Sequence, residues 1–311
     1  MVETISEHAC FGGLQGFYRH RSTAVGLPMR FSVYQPPQAK LGAVPTLFFL
    51  AGLTATEETF MIKAGAQRLA AEFGLMLVAT DTSPRNTGIE YATLDWDFGE
   101  GAGFYLDATQ PPWNKHFRME SYVVDELREL ILARFPARVD RVGIFGHSMG
   151  GHGALTLALR HPDIYRSVSA FAPICAPMLC EWGENALENY LGADRRGWLQ
   201  HDASELMRGL QAPYPAGILI DQGLADPFLG QQQLRPETFE AACALARQPL
   251  TLRRHPGYDH GYYFISTFMA DHLAFHRANL LEDWTASSSC STPGNGSWKS
   301  SSRDFQRTAS T

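Results

Sequence analysis

"RVGIFGHSMGGHGAL", residues 141–155, decides how this chain is read. An apolar run ends in Gly146-His147-Ser148-Met149-Gly150, and an Ala/Leu-rich stretch follows. With 28 Gly among 311 residues, chance alone gives roughly 0.15 matches to G-x-S-x-G. The pentapeptide gains meaning only as a turn between a strand and a helix, with an acid and a histidine following in that order. A buried serine in an ordinary Gly-rich turn is the competing reading.

The flanks meet the first demand. Residues 141–145 read as a short strand, and 149–160 as a helix that stops before Pro162. Gly146, Gly150 and Gly151 leave room for a serine held in a tight strand-to-helix reversal. The Met149 N–H, at the start of the helix, is placed to donate to an oxyanion, and the partial positive charge there favours an anion.

Outward from this turn the chain alternates strand and helix. Residues 16–20 and 29–35 have the aromatic content of antiparallel strands. Apolar runs at 46–50, 74–81, 165–173 and 216–223 read as buried strands, and 250–255 as a late one. Helical spacing marks 57–73, 119–135, 236–246 and 262–279, and 176–213 is a looser, mostly helical excursion. This pattern predicts an α/β fold in one domain over 1–284: a mostly parallel central sheet with antiparallel N-terminal strands and helices on both faces. Residues 81–115 are rich in Gly, Pro, Asp and aromatics without a period. A loop of that length is usually functional; the bland alternative is a surface excursion packed by its own rings. Residues 285–311 are Ser/Thr-dominated and are expected to be disordered.

The partners of Ser148 follow in the required order. Asp226 lies in "DQGLADPFL", just after a strand, and His260 in "HPGYDHGYYF", between the late strand and the final helix. Both fall at C-terminal ends of strands, where open α/β sheets build their sites. Asp221 and Asp259 are rival acids; loop position favours Asp226, and Asp259 reads as fixing the turn that carries His260. Among 11 histidines, His147 and His152 read as packing or surface residues. A second oxyanion donor is expected from the loop after the strand at 46–50, "LAGLTATEE", with Leu53 N–H the candidate because Gly52 permits close backbone approach. The same stretch also reads as a turn before a helix capped by Thr54 or Thr56.

Composition bounds the chemistry. A net charge of -6 argues against nucleic acid or an anionic membrane as partner. No apolar run approaches a membrane span, and the N-terminus lacks the basic start and apolar core of a secretory signal. Five cysteines without a CxxC signal neither a zinc site nor a disulfide framework. The expectation is a cytoplasmic enzyme acting on a small molecule with no cofactor and no metal.

Several stretches together resemble the S-formylglutathione hydrolase (esterase D) family: "CFGG" at 10–13, "FSVYQPP", "LAGLTATEE", "DTSPR", "DWDFGEGAGFYLDATQPPW", "RMESYVVDEL", "GHSMGGHGAL", "DQGLADPFL" and "GYDHGYYFI". They run from about residue 8 to 280. The "FGEGAGFYLDAT" and "GYDHGYYFI" blocks are far more specific than G-x-S-x-G. The resemblance implies the α/β-hydrolase fold and a thioesterase that releases formate and glutathione from S-formylglutathione in formaldehyde detoxification. It implies the triad Ser148, Asp226 and His260, oxyanion donors at Leu53 and Met149, and a homodimer. Relatives often carry cysteine where this chain has Ala55, and serine where it has Gly261. Trp96, Phe98, Phe104 and Trp113 of the long loop are candidates for closing a small acyl pocket. A general short-acyl carboxylesterase, an acyltransferase and a non-catalytic binding module are the alternatives on the same scaffold.

Overall fold

A computed structural model describes residues 1–281 of the chain; the expectation for 285–311 lies outside the described residues. Nine strands form one sheet: β1 (Val2–Cys10), β2 (Gly13–Arg21), β3 (Pro28–Gln35), β4 (Val44–Leu50), β5 (Met76–Thr80), β6 (Ala137–His147), β7 (Ser167–Phe171), β8 (Ile218–Gly223) and β9 (Leu250–His255). Their spatial order is β1-β2-β3-β5-β4-β6-β7-β8-β9. The first three strands and β5 pair antiparallel in succession, and from β5 onward every pairing is parallel. This is the α/β-hydrolase fold.

The parallel strands read as continuous apolar runs because helices cover both faces. All seven residues of β4 ("VPTLFFL") are buried, as are all of β5, β7 and β8. The chain runs from β4 back to β5 beside β3, then crosses to β6 on the other side of β4. Strand order therefore reverses at β4, and the crevice at such a switch point is where open sheets bind ligands. The register Leu50↔Gly146 brings the loop after β4 beside the loop after β6. Those two loops carry Leu53 and Ser148.

Three sequence expectations are corrected. Residues 2–10, to which the sequence reading assigns no element, form β1, an edge strand mostly exposed on both faces, which leaves no apolar alternation to read. The helix expected over 57–73 is two helices, Glu57–Lys63 and Gln67–Phe73, interrupted where Gly65 takes φ +66. The helix expected over 119–135 begins with π-type bonding at Ser121–Leu127 before Arg128–Arg134.

A polar network crosses the sheet's far side. Asp221 on β8 is fully buried; Arg253 on β9 donates to its two oxygens from Nε and Nη2, each at 2.6 Å. His272 Nε2 lies 3.3 Å from Asp221, and Ser169 on β7 bridges His272 and His276 at 2.8 Å each. Burial pushes the Asp221 carboxyl up, but hydrogen bonds from His272, Arg253 and His255 outweigh it and hold the pKa far below the usual carboxylate range. Burial holds His147, His152, His272 and His276 below the ordinary histidine value, His152 at about 3.

These shifts act in one direction. A histidine whose folded pKa is depressed binds its proton more readily when unfolded, so it removes stability as pH falls below about 6.5. For His152 the loss at pH 5 is about 2 kcal/mol, a large fraction of a typical stability of about 5–15 kcal/mol. Asp221 adds a further loss below the ordinary carboxylate range. The melting temperature is expected to fall steadily from pH 7 to pH 5 in a calorimetric series; a flat profile over that interval contradicts the account.

Candidate active site

Ser148 sits between β6 and the helix Met149–Arg160 at φ 57, ψ -120, a conformation that costs non-glycine residues energy. The flanking glycines make the turn sterically feasible. A Cβ at 150 would stand 2.0 Å from the Leu50 carbonyl oxygen, and one at 146 would stand 2.1 Å from the Gly150 carbonyl oxygen. The helix thus enters in backbone contact with the end of β4, and only glycine fits at either point. The Phe171 carbonyl accepts from Ser148 N–H at 3.0 Å, and the Ser148 carbonyl accepts from His152 N–H. The strained turn is over-determined by these bonds.

His260 and Asp226 meet directly: His260 Nδ1 lies 2.5 Å from Asp226 Oδ2. Asp226 is held from two further sides. Its Oδ1 accepts from the Phe228 N–H at 2.9 Å, and its Oδ2 accepts from Gln222 Nε2 at 3.2 Å. With Asp226 buried and His260 largely so, the carboxylate fixes the tautomer that carries the proton on Nδ1 and leaves Nε2 as an acceptor. The rival acids are occupied elsewhere: Asp221 by Arg253 and His272, and Asp259 by the N–H of Gly261 at 2.8 Å. His147 packs on His260, with ring centroids 4.4 Å apart. Burial and the neighbouring His260 keep its imidazole neutral.

The loop after β4 presents Leu53 to the same place. A Cβ on Gly52 would stand 3.0 Å from Ser148 Cβ, so the backbone passes directly over the serine. The long loop 81–115 fixes this segment by hydrogen bonds. Tyr105 donates to the Ala51 carbonyl at 2.9 Å, Thr54 N–H donates to the Gly101 carbonyl at 2.9 Å, and Thr82 Oγ1 donates to the Ala55 carbonyl at 2.8 Å. Leu53 N–H has no acceptor among the described residues, and Met149 N–H, at the first helical position, has none within its helix. Two free donors thus flank the serine.

The family model for putative esterases matches residues 22–275. S-formylglutathione hydrolase of Rattus norvegicus is 50% identical over 279 residues, covering 90% of this chain and 99% of that protein. The Paracoccus denitrificans (strain Pd 1222) S-formylglutathione hydrolase is 51% identical over 278 residues, 89% of this chain and 98% of its own. The solved structure of an S-formylglutathione hydrolase from Agrobacterium tumefaciens superposes with a TM-score of 0.86 at 49% identity, covering 89% of this chain and 99% of that one. The chain belongs to the S-formylglutathione hydrolase family.

In this family member the serine and histidine open onto a cavity of about 330 Å³, lined by Leu53, Ala55, Lys63, Trp96, Trp182 and Tyr262 among others. Of the four aromatic residues expected to close it, only Trp96 lines it. Phe98 and Trp113 pack on each other and on Tyr190, with ring centroids 4.7–5.6 Å apart, and Phe104 packs against His152. Their rings secure the long loop, whose hydrogen bonds hold the segment carrying Leu53. The cavity wall comes from Trp182 and Phe228, 4.8 Å apart, with Phe228 edge-on to His260 at 4.8 Å. Phe228 and Tyr262 each lie two residues from Asp226 and His260, a sequence signal that went unused; Trp182 carries no such signal. No described helix is long and apolar enough to cross a membrane.

Proposed function

We propose that this chain hydrolyses S-formylglutathione to glutathione and formate through a formyl-serine intermediate. The observation that carries the reading is the 2.5 Å contact of His260 Nδ1 with Asp226 beside a serine on a strained turn, in a chain whose curated relatives bear that activity by name. His260 Nε2 takes the Ser148 hydroxyl proton as Oγ attacks the formyl carbon. Leu53 and Met149 N–H groups hold the oxyanion, each donor contributing about 100- to 1000-fold in rate. As the tetrahedral species collapses, His260 gives that proton to the departing glutathione sulfur. A water then attacks the formyl ester with His260 again as base, and the proton returns to Ser148 Oγ as formate leaves. Asp226 stays ionised and stabilises the imidazolium in both steps.

The reading carries with it the formaldehyde catabolism, cytoplasmic location and homodimer that the family resemblance implies. It is tested by kcat/KM on S-formylglutathione against acetyl and longer thioesters and esters. The formyl thioester is expected to lead by at least about tenfold, since each added methylene must find room in a fixed pocket. A preference for longer acyl chains would make the chain a general short-acyl carboxylesterase instead.

A further inference from the structure

The cavity also holds one cationic side chain that acyl transfer as described does not use. Lys63 ends the helix Glu57–Lys63, is exposed, and lines the cavity that holds Ser148 and His260. Among the described lining residues it is the one Lys or Arg, and none is Asp or Glu. In a chain with 32 acidic against 26 basic residues, that balance reverses the chain's own average. Its Nζ stands 5.8 Å from the centroid of the Tyr262 ring, another part of the wall. No carboxylate among the described residues pairs with it. By contrast, Arg85 and Arg253 are each ion-paired, to Asp81 and Asp221. The aromatic face attracts the ammonium without neutralising it, so a charge is kept available at the mouth of the cavity.

The reacting formyl group is neutral and gives this cation nothing to bind. The glutathionyl portion of the substrate carries two carboxylates. We propose that Lys63 receives one of these carboxylates and thereby selects glutathione thioesters over uncharged esters of the same acyl group. The proposal rests on the S-formylglutathione reading above. An ammonium on a flexible stem with three donors suits a mobile carboxylate in water. Because the site is exposed, its contribution is moderate and is screened by salt. A lysine in the last turn of a helix also complements the helix dipole. That role alone would move thermal stability and leave substrate choice untouched.

The test uses Lys63→Gln and Lys63→Arg in the full chain, with kcat/KM measured on S-formylglutathione and on 4-nitrophenyl acetate. Lys63→Gln is expected to lower the ratio of the two values about tenfold, chiefly through KM for the thioester, and Lys63→Arg to restore most of it. Raising salt to about 0.5 M should move the wild-type ratio toward that of Lys63→Gln. The S-formyl derivative of γ-glutamylcysteine, which lacks the glycine carboxylate, identifies the partner. A penalty that vanishes with it assigns the glycine carboxylate, and one that persists assigns the γ-glutamyl carboxylate. An unchanged ratio in Lys63→Gln, or an equal loss on both substrates, overturns the proposal even where the wild type turns over S-formylglutathione well. Failure of the wild type on S-formylglutathione would instead remove the underlying reading.

Discussion

Ser148→Ala is expected to lower kcat/KM on S-formylglutathione by about a millionfold while the protein remains folded. The hydroxyl lines the cavity together with His260, and alanine keeps the Cβ and the backbone bonds to Phe171 and His152 that define the turn. What survives should be the catalysis due to the oxyanion donors and binding alone, about 1000- to 10,000-fold over water. A circular-dichroism melt close to wild type, beside single-turnover kinetics showing no formyl-enzyme, completes the expected result. Activity within tenfold of wild type would remove Ser148 from the nucleophile role.

Asp226→Asn should cost about 10,000-fold in kcat with little change in fold. Asparagine still caps the Phe228 N–H, since an amide oxygen serves that position as well as a carboxylate. Its NH2 then faces both Gln222 Nε2 and His260 Nδ1, where the carboxylate oxygen accepts from both. The imidazole must turn its lone pair toward that amide and carry its proton on Nε2, and so cannot accept from Ser148. The pH–rate profile should lose its histidine limb along with the rate. Asp221→Asn is the informative control. It breaks a buried ion pair, which typically costs about 3–5 kcal/mol of stability, and should shift the melt far more than the chemistry. If instead the Asp221 variant lost the rate and the Asp226 variant kept it, the two acids would exchange roles.

The fold was legible where turn residues punctuate the elements. The bounds expected for Met149–Arg160, Pro236–Ala246 and Leu250–His255 coincide with the observed elements, because Ser148, Pro236 and the flanking turns punctuate them. Strand β1 was illegible because its pairing with β2 rests on backbone bonds, with side chains exposed on both faces. The residues read as the triad came from chain order and strand ends, which the local sequence encodes. The cavity wall did not follow from the long loop's aromatic content: ring-rich sequence reports that rings must be buried, and Phe98 and Trp113 are buried on each other and Phe104 against His152 rather than over the cavity.

Strand β9 lies at the margin of the sheet, paired only with β8, and the chain leaving it carries His260. A marginal strand is ordinarily among the first segments to open in a folded protein. Here Arg253 spans from β9 to Asp221 and, at 2.7 Å, to Asp271 on the final helix, so strand, neighbour and helix are fastened at one ionic latch. The local opening free energy of the His260 segment is thereby tied to a carboxylate that never meets substrate. Loosening this latch is expected to release the segment carrying His260 before the rest of the sheet opens.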